Sequence, residues 1–172
     1  MRTNITGWAA AAMTMVFGAA LAAPSGKHDH PAPAASLGAL ADLAGEWEGK
    51  NSEGEPTRLT YRVVSDGTAL IETLGVGEEE TMVTVYHPDG DGLMLTHYCA
   101  VGNQPRMRSE KPMAGGAVRF AFVDSTNLKT ASAGHMHALA LTLKDRDHLR
   151  QEWTWRENGK ERVESFEFAR RR

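Results

Sequence analysis

Residues 148–169, HLRQEWTWRENGKERVESFEFA, contain the pattern that determines the fold class of this chain. Two strand-like runs, 148–156 and 160–169, flank Asn158-Gly159, the dipeptide most typical of a tight β-hairpin turn. Successive strand residues point to opposite faces, so one face of the first run is expected to carry four side chains: Leu149, Gln151, Trp153 and Trp155. The chain is therefore expected to end in an antiparallel hairpin with an aromatic face.

Strand-like runs also alternate with turn residues upstream of this hairpin. Asp66-Gly67, residues 88–92, Gly115-Gly116 and residues 145–147 carry turn chemistry at the joints. The predicted strands are 46–50, 57–64, 69–75, 81–87, 93–100, 106–111, 117–124, 135–144, 148–156 and 160–169. No joint has room for a crossover helix, and an open sheet would expose its edges. The sequence therefore predicts an all-β fold, a closed antiparallel up-and-down barrel of about 8–10 strands.

The first 22 residues are typical of a secretory signal peptide. Arg2 precedes an apolar, Ala-rich run from Trp8 to Leu21, and Ala20-Leu21-Ala22 offers small residues for cleavage. The run is shorter than the roughly 20 residues of a transmembrane helix, so no membrane span is expected after cleavage. The sequence predicts export to the periplasm or the medium, with a retained N-terminal anchor as the alternative.

The predicted mature chain has two parts. Residues 23–36 are rich in Pro, Ala, Gly and polar side chains, a composition typical of a disordered linker. Residues 37–172 form the predicted barrel domain, and the spacing of Leu37, Leu40 and Leu43 predicts a short helix before the first strand. That length suits one domain with its own core.

Charge and cysteine content exclude several classes of function. The net charge is −3 and becomes one unit more negative once Arg2 is removed, which gives no electrostatic basis for binding nucleic acid or an anionic membrane. Cys99 is the only cysteine, so the chain cannot form an internal disulfide. The hydrophobic core alone must hold the fold.

The segment Leu43-Ala44-Gly45-Glu46-Trp47-Glu48-Gly49 resembles the Gly-x-Trp-x-Gly opening of lipocalin-like (calycin) barrels and, more distantly, of nitrobindin-like barrels. From about residue 43 onward the chain resembles uncharacterised secreted bacterial proteins of that superfamily. The resemblance implies a closed barrel that holds a small apolar ligand or, in nitrobindins, haem. It also implies that Trp47 plugs one end beneath an arginine of the last strand, here Arg170. The nitrobindin haem histidine lies late in the chain, and no histidine follows His148, which argues against haem.

Strand alternation brings the chemically active side chains to one end of the predicted barrel. His97 and Cys99 share a face with leucines at the end of one strand, and His135 and His137 do so at the start of another. If successive strands alternate in direction, all four point inward at a common rim. Asp124 shares the face of Phe120 and Phe122 and is also expected to point inward. The predicted ligand-binding residues are His97, Cys99, Asn103, Gln104, Arg106, Asp124, Asn127, His135, His137, Trp153 and Trp155.

Three functions remain open for this mouth. The first is a pocket for a small, partly apolar ligand, in which Arg106 binds a carboxylate or phosphate or else pairs with Asp124. The second is a zinc or copper site, or an enzyme using it, with four candidate ligands: His97, Cys99, His135 and His137. In an enzyme, Cys99 could act as a thiolate nucleophile, and His97 or His137 as a general base. The third is a structural role, in which the histidines hydrogen-bond within the core and no ligand binds.

Overall fold

The computed structural model describes residues 37, 40–77, 79–110 and 117–172; the predicted signal peptide and linker lie outside these residues. The described residues form ten strands: β1 (Gly45–Asn51), β2 (Pro56–Val64), β3 (Ala69–Val76), β4 (Glu79–Asp89), β5 (Gly92–Tyr98), β6 (Gln104–Ser109), β7 (Ala117–Thr126), β8 (His135–Asp145), β9 (His148–Glu157) and β10 (Lys160–Arg170). Each strand pairs antiparallel with its sequence neighbours, and β1 also pairs with β10, so the sheet closes. The predicted all-β barrel is confirmed, and every predicted strand end lies within two residues of the observed one.

The barrel closes where β1 and β10 approach each other closely. Gly49 lies opposite Phe168 in this pairing. A Cβ atom at Gly49 would lie 1.9 Å from the backbone carbonyl oxygen of Glu167, well inside van der Waals contact. The second glycine of the Gly-x-Trp-x-Gly segment is therefore required by the backbone of the facing strand.

Trp47 and Arg170 seal one end of the barrel, which we call the closed end. The Trp47 indole is buried, and its Nε1 donates a hydrogen bond of 2.8 Å to the carbonyl of Leu43. The Arg170 guanidinium lies 4.1 Å from the centroid of the Trp47 ring and donates to the carbonyls of Ala44 and Asp42, each at 2.8 Å. This is the arrangement that the resemblance implies.

The segment before β1 packs into the core at the closed end. Leu37, Leu40 and Leu43 are buried and belong to the same hydrophobic cluster as Trp47. Residues 37, 40 and 41 are helical, in agreement with the predicted short helix. No helix in the described ranges is long and apolar enough to cross a membrane.

Because β1 starts at the closed end and each strand reverses direction, β5 finishes and β8 starts at the opposite end, which we call the open end. Large side chains fill the interior between the two ends. Those that are fully buried include Tyr61, Tyr86, Phe120, Trp153 and Phe166. The interior is therefore packed, as in other small barrels whose interior positions hold side chains.

Of the β-bulges at the open end, two alter the strand alternation next to predicted site residues. Arg106 pairs with Asp124 but Met107 pairs with Phe122, so Val123 has no partner in this ladder. On β8, Met136 and Ala138 pair with Trp155 and Thr154, which leaves His137 as the extra residue. A bulge puts two residues opposite one and changes which way the following side chains point.

Candidate functional site at the open end

His97 is one of the most deeply buried of the predicted site residues. It lies on β5 with a side chain exposed by only 1%, and its ring packs against Trp153 with centroids 4.5 Å apart. Nδ1 shares a hydrogen bond of 2.9 Å with Thr84 Oγ1. Nε2 is buried and has no hydrogen-bond partner in the structure. The inward orientation predicted for His97 is thus observed, and one ring nitrogen remains unsatisfied.

Behind His97 lies a buried polar network centred on the carboxyl group of Glu72, which is 1% exposed. Tyr86 Oη donates to Glu72 Oε2 at 2.7 Å, Gln151 Nε2 donates to the same oxygen at 3.0 Å, and Thr84 Oγ1 lies 3.4 Å from Oε1. Gln151 Nε2 also donates to Tyr61 Oη at 2.7 Å. No Lys or Arg among the described residues forms an ion pair with Glu72, so its surroundings are polar but uncharged.

Burial sets the protonation of these groups. It raises the pKa of Glu72 from its ordinary value, although hydrogen bonds from Tyr61, Tyr86, Gln151 and Thr84 oppose the rise. The pKa values of Tyr61 and Tyr86 are raised well above the ordinary phenol value, first by burial and then by Glu72, so both phenols stay neutral. Burial lowers the pKa of His97 to about 4, so its imidazole is neutral at physiological pH.

His135 and His137 form a second group of rings at the open end. His135 Nε2 and His137 Nδ1 share a hydrogen bond of 3.2 Å, and His135 Nδ1 bonds the carbonyl of Ala133 at 2.8 Å. Phe122 contacts both rings, with centroids 4.8 and 5.0 Å away. Burial lowers the pKa of His137, and the charge of Arg156 lowers it further. Both ring nitrogens of His135 are already engaged within the protein.

Cys99 and Asn103 lie at the two ends of the loop between β5 and β6. The Cys99 amide donates to the Asn103 carbonyl at 3.1 Å, so Asn103 lies beside Cys99. Because Cys99 follows His97 by two residues, Asn103 lies roughly 7 Å nearer the open end than His97. Asn103 Nδ2 donates to the carbonyl of Gly134 at 2.8 Å, while its Oδ1 is buried without a partner. Burial raises the pKa of the Cys99 thiol, which opposes a thiolate nucleophile at this position.

Asp124 does not point inward as predicted. Its carboxylate and the Arg106 guanidinium form a bidentate ion pair, and about half of each side chain is exposed. The bulge at Val123 reverses the alternation after Phe122 and turns Asp124 to the outer wall. Of the two roles considered for Arg106, the geometry shows the ion pair.

Gln104, Asn127 and Trp155 also lie at the open end. Asn127 Nδ2 donates to Gln104 Oε1 at 2.6 Å, and this exposed contact joins the first residue of β6 to the β7–β8 loop. Asn127 has a φ of 56°, a left-handed conformation that asparagine tolerates better than most residues. The Trp155 ring covers Gly134, where a Cβ atom would lie only 2.1 Å from the ring. Trp155 thus covers the start of β8 at the open end.

The four predicted metal ligands do not form one site in this structure. Within the described residues, no group of three or more His, Cys, Asp or Glu side chains is placed to hold a metal ion. His135 and His137 bond to each other, and the second ring nitrogen of His135 bonds the carbonyl of Ala133. The structure therefore does not bring His97, Cys99, His135 and His137 together as one ligand set.

Clefts elsewhere on the molecule do not include the predicted site. Three clefts of about 310, 560 and 400 Å³ involve β1 and its neighbours or the closed end, and none is lined by His97, His135 or His137. Because the His97 side chain is only 1% exposed, a ligand that reaches it must be small, or side chains at the open end must move to admit it.

Sequence reasoning missed the network behind His97. Sequence reasoning did not single out Tyr61, Glu72, Thr84 or Tyr86, and it named Gln151 only as part of the aromatic face of its strand. A usable signal was present in β3, where Leu70, Glu72 and Leu74 occupy alternate positions of one strand and both leucines are buried. A carboxylate between two core leucines indicates a buried acid, because acids rarely enter a core without partners.

Comparisons with known proteins give the fold. No family model matches the sequence, and no curated protein matches it. The chain is similar to the crystal structure of Rv2717c from M. tuberculosis, with a TM-score of 0.59 and 18% identity over 82% of this chain and 100% of that chain. It is also similar to a protein of unknown function from the DUF3598 family of Nostoc punctiforme, with a TM-score of 0.50 and 14% identity over 77% of this chain and 49% of that one. The chain therefore has a closed ten-stranded antiparallel β-barrel fold, which these two structures resemble.

Proposed function

We propose that this protein is an exported, lipocalin-like β-barrel that binds a small, partly apolar molecule at its open end. The bound molecule forms a hydrogen bond with His97 Nε2 and packs on the aromatic rings around it. The signal-like sequence of residues 1–22 supports export, and the packing of Trp47 beneath Arg170 supports the lipocalin-like assignment.

The observation that carries the proposal is the unsatisfied Nε2 atom of His97. Leaving a buried polar atom without a partner costs about 1–3 kcal/mol. Most buried polar side-chain atoms in folded proteins have a partner, so an exception calls for an explanation. A ligand group that bonds Nε2 would recover this free energy and fix the orientation of the ligand.

The surroundings of His97 define the chemistry of the ligand. Trp153 packs on the imidazole ring and offers an apolar surface, and its own Nε1 is already used in a bond to Gln151 Oε1 at 2.9 Å. Nearer the open end, Asn103 Oδ1 is a second buried atom without a partner. A molecule with an apolar ring and one or two hydrogen-bonding groups matches this set, as in most small-molecule sites.

Access requires movement, because His97 is buried beneath the open end. Binding that needs a conformational change has a lower association rate constant than diffusion alone would give. The β5–β6 and β7–β8 loops are joined by the partly buried hydrogen bond from Asn103 Nδ2 to the carbonyl of Gly134, and Gln104 beside them forms an exposed bond with Asn127. These loops are the expected point of opening.

Native mass spectrometry of protein purified gently from an exporting host tests the proposal. We expect a fraction of the wild type to carry an additional small organic mass that is released on denaturation. His97→Phe should lose this mass, whereas His87→Phe should retain it, because the His87 side chain is exposed and bonds the nearby carbonyl of Pro88. A wild-type protein that always has its bare mass would indicate that water alone satisfies Nε2 and would contradict the proposal.

A further inference from the structure

We propose that Glu72, acting through Thr84, determines whether His97 presents a hydrogen-bond acceptor or a hydrogen-bond donor to the ligand. The inference rests on the proposed function and extends it, because it states whether the ligand must donate or accept a hydrogen bond at His97. The relay itself consists only of residues inside the barrel. It can therefore be tested without any ligand.

The three side chains form a row across three adjacent strands. Glu72 on β3 pairs with Thr84 on β4, and Thr84 pairs with His97 on β5. All three are about 1% exposed. Thr84 Oγ1 lies 3.4 Å from Glu72 Oε1 and 2.9 Å from His97 Nδ1. The Thr84 hydroxyl has one proton, so it can donate to only one of these two neighbours at a time.

When Glu72 is ionised, the Thr84 hydroxyl donates to the carboxylate. Thr84 Oγ1 then accepts from His97, so the proton of the neutral imidazole lies on Nδ1. Nε2 is left with a bare lone pair and acts as an acceptor. In this state the site suits a ligand with an O–H or N–H group.

When Glu72 is protonated, every bond in the row reverses. The Glu72 carboxyl donates to Thr84 Oγ1, the Thr84 hydroxyl donates to His97 Nδ1, and the imidazole proton lies on Nε2. The two states differ by one proton, which enters at Nε2 from the open end. As it binds there, the Nδ1 proton passes to Thr84 Oγ1 and the former Thr84 proton passes to Glu72 Oε1. The site now suits a ligand with a carbonyl or another acceptor.

Among the titratable groups in and around this row, Glu72 is the one whose protonation state changes. Glu72 faces Tyr61 from β2, Tyr86 from β4 and the neutral Gln151 from β9. Both phenols stay protonated because their pKa values are raised well above the ordinary value. His97 packs on Trp153 and stays neutral above its pKa of about 4. No charged side chain of the described residues pairs with either end of the row.

The test reads the His97 tautomer by ¹⁵N NMR of protein labelled at its imidazole nitrogens, without added ligand, between about pH 5 and pH 9. Protonated and bare ring nitrogens have well-separated shifts. In the wild type, we expect the proton to lie on Nε2 at low pH and on Nδ1 at high pH. In Glu72→Gln, the amide oxygen can accept from Tyr86 and Gln151 while its NH₂ group donates to Thr84. That variant should keep the proton on Nε2 at every pH.

Thr84→Val provides the second variant, since it removes the hydroxyl that links the two ends. Its His97 tautomer should no longer depend on pH. The inference is overturned if the wild type and Glu72→Gln show the same tautomer at every pH, or if Thr84→Val titrates like the wild type. A tautomer that titrates in a protein with only its bare mass would support the relay and contradict ligand binding, so the two failures are distinguishable.

Discussion

The imidazole of His97 packs against the indole of Trp153, with ring centroids 4.5 Å apart and both side chains exposed by only 1%. This contact joins the unsatisfied Nε2 atom to an aromatic surface inside the barrel. It also excludes water from the imidazole, and for that reason the neutral ring is favoured over the imidazolium.

The first prediction concerns the pH dependence of stability that His97 causes. Its pKa is about 4 in the folded protein, against about 6.5 in the unfolded chain. Between these values the unfolded chain binds a proton that the folded protein does not bind. The free energy of unfolding should therefore fall by about 3 kcal/mol as the pH falls from 6.5 to 4, relative to a variant without this histidine.

Urea unfolding of the wild type and His97→Phe across this pH range measures the difference. His87→Phe is the matched control, because that histidine is exposed. Parallel curves for the wild type and His97→Phe would show that His97 does not have the depressed pKa that its burial implies.

The second prediction has the opposite sign and concerns Glu72. Burial raises its pKa in the folded protein, so between the unfolded and folded pKa values the folded protein binds more protons. Stability should be greatest below the unfolded pKa and should fall as the pH rises through the folded value. The difference in free energy of unfolding between the wild type and Glu72→Gln should change in this direction with pH; a difference that is independent of pH would contradict the prediction.

The third prediction tests the closed end. Arg170→Ala removes the guanidinium above Trp47 and two hydrogen bonds to the carbonyls of Ala44 and Asp42. We expect a loss of about 3 kcal/mol in the free energy of unfolding, measured by urea denaturation. Arg172→Ala is the control: its side chain is 89% exposed, so its removal should change stability by less than about 0.5 kcal/mol. Equal effects of the two changes would contradict the role of Arg170.

The fourth prediction tests closure of the barrel. Gly49→Ala places a Cβ atom 1.9 Å from the carbonyl oxygen of Glu167, so β1 and β10 must separate. We expect a loss of more than about 3 kcal/mol or a failure to fold, detected by circular dichroism and thermal unfolding. Gly54→Ala meets no atom within 4 Å but has a φ of +85°, so it should cost only about 1–2 kcal/mol. A Gly49→Ala protein as stable as Gly54→Ala would contradict the observed closure.

The strands were predictable because their joints carry strong local signals. Asn158-Gly159 and the turn residues between the other strands define the hairpins, and the even number of strands lets β10 pair antiparallel with β1. The same alternation placed His97 correctly on the inner face, because no bulge interrupts β5 against β4.

The side chains that were misplaced or missed have physical explanations. Val123 is an extra residue in β7, and no turn residue or glycine marks it, so the reversal of Asp124 could not be read from the sequence. Glu72 was missed because acidic residues usually face solvent. Its burial depends on Tyr86 and Gln151, which lie 14 and 79 residues away along the chain.

The most direct test of ligand binding at His97 is the ¹⁵N signal of its Nε2 atom while small aromatic alcohols and ketones are added to the labelled protein. We predict that at least one of these molecules shifts the Nε2 signal in a saturable way and changes the fluorescence of Trp153, while the signals of His87 stay unchanged. If no compound moves the His97 signals, or if His97 and exposed His87 respond equally, the open end is not a ligand site.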